Sequence, residues 1–320
     1  YLSLSCFPVF SRYIPMKPCA NQVLIYIYIY ICTSFKKKLK KFYPLHLITY
    51  IATLPASFLL LTKTPNPLSE KLFSLACKSI PNLLLIQSFI PVQEIYFSFN
   101  QVSWYLSDTM FFCFCTPFIL RFLHQKISGK IPQKIALSFG ILFILQFLIS
   151  LSLYKTRFAH AILYISPLYR IGEFIQGALL GYFFVHIIQK THRRIPYSLA
   201  QCSCAGLFLF LVLKWGSYPD GFGYSVIFVP VTAALLLSLA TEKGILSRFL
   251  STAPFQYLGS ISFELFLTHF VVIQYLSGIS SFLLPLNDFA FVVLALIGSI
   301  AVSDIMHRFL KLLPRIFHNP

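Results

Sequence analysis

The sequence predicts an all-α fold, a polytopic transmembrane helix bundle of about 8 to 10 spans. Three observations lead there. Mean hydropathy is +0.76; 57% of the residues are apolar and 11% charged, against about 25% charged in an ordinary soluble domain. Apolar runs of about 20 residues, the length of a bilayer crossing, recur along the chain. Short clusters of Lys and Arg separate them.

Taken in order, the runs place spans near 43–62, 104–123, 136–154, 171–188, 197–213, 224–240, 256–276 and 288–307. Two further segments are shorter. The run VLIYIYIYIC within 21–35 alternates Ile and Tyr, a pattern that also suits a strand; followed at once by KKKLKK, it reads as a short span. The run IPNLLLIQSFIPV, 80–92, is bounded by prolines and reads as a re-entrant segment or a partial span.

The basic residues test this layout, because loops rich in Lys and Arg stay in the cytoplasm. Lys36, Lys37, Lys38, Lys40 and Lys41 precede the 43–62 span, and Arg121, Lys126, Lys130 and Lys134 follow 104–123. Lys190, Arg193 and Arg194, then Lys243 and Arg248, then Arg308, Lys311 and Arg315 fall on the same side by alternation. The opposite loops 216–223 and 276–288 carry few or no basic residues. This puts the C-terminus in the cytoplasm. It also requires 80–92 to enter and return on the outer side, or a further short crossing within 63–103.

A net charge of +17 would suggest nucleic acid in a soluble protein. Here the charge is scattered between apolar runs and no nucleic-acid motif occurs, so we expect no nucleic-acid partner; the partner is the lipid bilayer. The eight cysteines include the pairs Cys113/Cys115 and Cys202/Cys204. Residues two apart on a helix point to different sides, so neither pair has metal-ligand geometry and no metal is expected.

Four of the nine acidic residues, Asp108, Glu173, Glu264 and Asp304, fall inside spans. Each costs roughly 2.5–3.5 kcal/mol at a helix centre, so each should face the protein interior or a wet cavity. Arg170 and Glu173, three apart, share a helix face. They form either a self-neutralising pair or part of a polar pocket for a hydroxylated substrate. His269 is a span histidine; it is a packing residue or a proton relay, its pKa lying near neutrality. His46 and His186 are weaker candidates of the same kind. No Ser-His-Asp signature, nucleophile elbow, phosphate loop or HExxH motif appears.

Four segments together resemble the integral-membrane acyltransferase 3 family. FKKKLKKFYPLHLITYI, 35–51, resembles its basic loop before a Tyr-Pro, with Lys38 and Lys41 where two arginines stand. In 83–112, Asn100, Trp104, Leu106, Ser107, Phe111 and Phe112, with Pro117 beyond, match a second pattern. The family commonly has a glutamate where this chain has Thr109; Asp108 lies about 100° around the helix from it. Pro167, Arg170, Glu173, Phe174 and Gly177 match a third pattern, and Leu258, Gly259, Ile261, Ser262, Phe263, Leu267 and His269 a fourth. The glutamate that usually closes the last span is missing from HRFLKLLP, 307–314.

The resemblance covers 35–310 and implies a single membrane domain over 1–320. It implies an O-acyltransferase moving an acyl group, usually acetyl, from acyl-CoA to a sugar hydroxyl of a surface or exported polysaccharide or glycolipid, in a bacterial cytoplasmic membrane. Acyl-CoA would be a co-substrate, with no permanently bound cofactor. Lys38 and Lys41 would attract its phosphates. Arg170, Glu173 and His269 would form the catalytic set. Asn100, Trp104, Ser107, Asp108 and Glu264 would bind the carbohydrate acceptor. The family's first span carries a histidine base that 1–19 does not reproduce, so we expect an N-terminally incomplete chain. The rival readings are an inactive remnant of such an enzyme and, less well supported, a transporter.

Overall fold

A computed structural model describes residues 35–62, 67–126, 131–188, 196–282 and 285–317, and among them no strand forms. The 21–35 segment, apart from Phe35, and Lys130, Lys190, Arg193 and Arg194 lie outside the described residues. The described residues form thirteen α-helices in order: α1 Lys36–Thr62, α2 Leu68–Leu83, α3 Gln93–Tyr96, α4 Trp104–Lys126, α5 Ile131–Leu153, α6 Pro167–Phe183, α7 Tyr197–Leu213, α8 Asp220–Gly223, α9 Val229–Leu239, α10 Ile245–Leu250, α11 Ala253–Ser260, α12 Ser262–Phe282 and α13 Asp288–Phe317. Five described segments are long and apolar enough to cross a membrane: Gln101–Leu123, Pro132–Leu153, His160–Ile188, Ser262–Ser281 and Asp288–Leu312. The protein is an all-α, multi-pass membrane bundle.

Local chemistry explains where the helices depart from the apolar runs. The run 171–188 begins earlier, with a π-helical turn His160–Ile165. Ser166 is then extended and Pro167 opens α6, because proline disfavours helical backbone before it yet suits the first helical position. The run 224–240 yields only α9, whose second residue is Pro230; 224–228 form turns. The run 256–276 divides at Ile261 into α11 and α12. The 43–62 run lies in α1, which contains Pro44 and Pro55 and is not among the five. The 80–92 segment is no continuous helix. After α2 the chain breaks into a 3-10 turn Gln87–Phe89, α3 and a second 3-10 turn Gln101–Ser103, with Leu85 and Phe99 at positive φ (56° and 58°).

The chain divides into two compact units, a central one, Asp108–Thr252, and a terminal one, Lys36–Ser107 with Ala253–Pro320. In the central unit α6 packs on α5 and α9, and α7 packs on α9 and α10. Its cores are Leu123, Ile135, Ala178, Leu179 and Tyr182, and Ala159, Leu163, Tyr169 and Val226. In the terminal unit α12 packs on α13 and α1, and α1 on α2. Burial is inverted relative to a soluble protein. Helix α5 exposes Leu137, Ile141, Ile144, Leu145 and Leu148, while Thr53, Asn82, Gln87, Ser103, Asp108, Gln176 and Ser303 are buried. Apolar side chains outward and polar ones inward is what a hydrocarbon surround favours.

Candidate functional site

Helix α6 builds the site. Its start is fixed by Pro167, and Tyr169 then pins it to α5: the Tyr169 hydroxyl lies 2.9 Å from Ser150 Oγ, and Gln146 Nε2 donates to the Tyr169 carbonyl at 3.5 Å. Gly172 allows the approach, since a Cβ there would stand 2.8 Å from Gln146 Nε2. On the next face Phe174 stacks on Phe112 of α4, centroids 5.0 Å apart. The helix is thereby held on two sides.

Its third side carries Arg170, Glu173 and Gln176, three residues apart and so along one stripe. Arg170 Nη2 lies 3.2 Å from Glu173 Oε2, with both side chains mostly buried. Arg170 Nη1 donates to the Tyr164 carbonyl at 3.4 Å, and its guanidinium lies 5.9 Å from the Tyr164 ring centroid. Tyr164, His160 and Tyr224 form an aromatic cluster with centroids 5.2–5.4 Å apart. Arg170, Glu173, Gln176, Tyr224 and Ser225 line a cavity of about 200 Å³, completed by apolar residues such as Leu180, Phe228 and Leu236. Every lining residue belongs to the central unit.

The structure thus brings Arg170 and Glu173 together, ion-paired, in the wall of a cavity. Sequence reasoning missed Gln176, Tyr224 and Ser225. Gln176 was within reach, being one further step of the same three-residue spacing. Tyr224 and Ser225 carry no sequence signal, since only the fold places them beside α6.

Asp108 is fully buried on α4, beside the buried Thr109. The terminal unit holds the other expected residues. Asn100 Nδ2 donates to the Leu267 carbonyl at 2.9 Å, and Ser88 Oγ donates to Ser107 Oγ at 2.7 Å. Trp104 is buried at the head of α4. Around them His46 Nε2 donates to the Asn82 carbonyl at 3.1 Å, and Gln87 Nε2 to the Ser103 carbonyl at 3.1 Å. The Gln87 bond, with local backbone–backbone bonds, helps to satisfy the irregular backbone of 84–103, where the one short α-helix is α3. On α12, Glu264 Oε1 lies 2.9 Å from His307 Nδ1. His269 Nδ1 lies 3.1 Å from the Leu265 carbonyl; a carbonyl only accepts, so Nδ1 carries the hydrogen and Nε2 is the acceptor nitrogen. Asp304 bonds the Tyr257 hydroxyl and Arg308 Nε, the latter at 3.1 Å. Lys38 and Lys41 lie in the first turns of α1, Lys41 exposed.

The model of a family described as an acyltransferase domain, acyltransferase 3, matches residues 26–308. The chain belongs to the acyltransferase 3 family. The match spans both compact units of the acyltransferase, and so includes the α6 cavity, the broken segment 84–103 and helix α12. Comparison with curated proteins and with solved structures gives no significant match.

Proposed function

We infer that this membrane acyltransferase moves an acetyl group from acetyl-CoA to a hydroxyl of a surface or exported polysaccharide or glycolipid, in a bacterial cytoplasmic membrane with its C-terminus in the cytoplasm. The observation that carries the reading is the family match over 26–308. The acceptor oxygen forms an ester bond to the acyl carbon as the carbon–sulfur bond breaks. A base takes the hydroxyl proton, and the departing thiolate takes up a proton to leave free CoA.

An alcohol is a weak nucleophile and needs such a base. His269, with Nε2 as its acceptor nitrogen, has the tautomer for this role. Arg170 and Glu173 hold the acceptor: a polar pair in an otherwise apolar helix suits a hydroxylated ligand. Asn100, Trp104, Ser107 and Glu264 of the terminal unit and Asp108 of the central unit are each assigned to acceptor binding in this reading, within their own unit. Lys38 and Lys41, three apart on α1, attract the phosphates of the donor.

Transfer of label from acetyl-CoA to cell-surface polysaccharide, in cells expressing this chain, tests the reading. Label that appears with the wild type and vanishes with Arg170→Ala is expected. Equal label with and without the chain would overturn it.

A further inference from the structure

Two buried glutamines of the central unit differ in one respect. Gln201 is fully hydrogen-bonded: the two hydrogens of its Nε2 face three acceptors, the Ser238 and Lys243 carbonyls and Ser247 Oγ, and its Oε1 accepts from Ser247 N. Gln176 is 2% exposed, yet neither its Oε1 nor its Nε2 has a hydrogen-bond partner among the described residues. A buried amide left this way costs about 1–3 kcal/mol, and native proteins keep few of them. Gln176 is one of the residues that line the α6 cavity, so its amide is an unpartnered polar group in the cavity wall.

Nearby groups restrict the guest. Arg170 and Glu173 are paired at 3.2 Å and together present no net charge, while Glu173 Oε1 keeps an open acceptor position. An anionic guest would set its carboxylate against that of Glu173. The Gln176 amide offers one acceptor and two donor hydrogens, and Tyr224 and Ser225 add hydroxyls to the same wall. Mixed donors and acceptors without net charge suit neighbouring hydroxyls, each of which both donates and accepts. A cavity of about 200 Å³ is smaller than the roughly 300–1,000 Å³ of drug-sized sites. That is room for one sugar ring within the cavity.

We propose that the α6 cavity binds a single neutral pyranose ring, with Gln176 as its specificity-determining residue. The proposal rests on the reading of the protein as a sugar O-acyltransferase and deepens it. Uronic and other acidic sugars are disfavoured at this subsite.

Equilibrium binding of labelled methyl β-D-glucopyranoside, galactopyranoside and mannopyranoside to the full chain in lipid nanodiscs, where no glycoside detergent competes, tests this. At least one is expected to bind saturably, with methyl β-D-glucuronide about 10-fold weaker or worse. Gln176→Leu is expected to weaken the pyranoside about 10-fold, or about 1.4 kcal/mol, while its melting temperature stays level or rises. Wild-type protein that binds none of the three, or prefers the glucuronide, overturns the proposal. So does Gln176→Leu that binds like wild type, or loses binding along with its melting temperature. Should that variant not accumulate, Ala233→Leu, at a lining position on α9, narrows the cavity from another helix, and unchanged affinity there is equally fatal. Acetyl transfer measured in parallel separates the two readings. Binding without transfer leaves the subsite standing and removes the enzyme, and transfer with Gln176-independent binding removes the subsite alone.

Discussion

His307 and Glu264, 43 residues apart in sequence, meet with Nδ1 and Oε1 2.9 Å apart, joining α13 to α12. Side-chain exposure is 15% for His307 and 8% for Glu264, so solvent can replace little of what either loses. Removing one partner of a buried hydrogen-bonded contact costs about 1–3 kcal/mol, because the other is left desolvated and unsatisfied. His307→Ala is therefore expected to lower the melting temperature markedly, and the double change Glu264→Leu with His307→Leu to recover much of it. A single His307→Ala variant as stable as wild type would show that the pair holds nothing.

Arg170 makes two directed contacts, one to Glu173 Oε2 and one to the Tyr164 carbonyl. A lysine has one charged nitrogen and no planar fork, so Arg170→Lys loses the preorganised geometry that serves both contacts. Losing a preorganised donor at a reacting site typically costs about 10²–10³ in rate. Acetyl transfer is expected to fall by about that factor in Arg170→Ala, with Arg170→Lys between it and wild type. Transfer by Arg170→Lys at the wild-type rate would reduce Arg170 to a point charge.

The long spans were legible because bilayer thickness imposes a length and a composition on the chain: α5 and α13 fall where their apolar runs do. Proline moved the rest. Pro230 delays α9, and Pro167 separates α6 from the π-helical turn that extends its span back to His160. Arg170 and Glu173 were legible as a pair since their spacing is local. The partners of Glu264 and Gln201 were not, because a contact across 43 or 46 residues leaves no periodic trace. The broken segment 84–103 escapes hydropathy for a different reason. Part of its backbone is satisfied by the Asn82 and Gln87 side chains, which read in sequence as ordinary polar residues.

The glycines should separate sharply under alanine substitution. At Gly221 a Cβ would stand 2.7 Å from Tyr154 Cβ and 2.9 Å from its Cα, so backbone has to move. At Gly172 it would meet the end of the Gln146 side chain, which can swing aside at the loss of a weak bond. Gly140, inside α5, would meet nothing within 4 Å. Thermal unfolding should give Gly221→Ala as the least stable, at a cost of about 1–3 kcal/mol. Gly172→Ala should lie between, and Gly140→Ala should gain up to about 1 kcal/mol from better helix propensity. Any other order would mean that backbone approach does not govern these sites.

Gln201 supplies the counterpart to Gln176. Its amide joins α7 to the end of α9 and to α10, with Nε2 2.6 Å from the Lys243 carbonyl and 2.7 Å from Ser247 Oγ. Gly244, at φ +114°, completes the fit, because a Cβ there would stand 2.5 Å from Gln201 Oε1. Leucine at 201 strands the buried Ser247 N–H and removes the side-chain donor to the Lys243 carbonyl, at about 1–3 kcal/mol for a buried group left unsatisfied. Leucine at 176 strands nothing among the described residues. The same substitution in the same unit is thus expected to lower the melting temperature by several degrees at 201 and to hold or raise it at 176. A fall of similar size at both sites would mean that the Gln176 amide is already bonded in the folded protein, and would remove the basis for assigning it to a ligand.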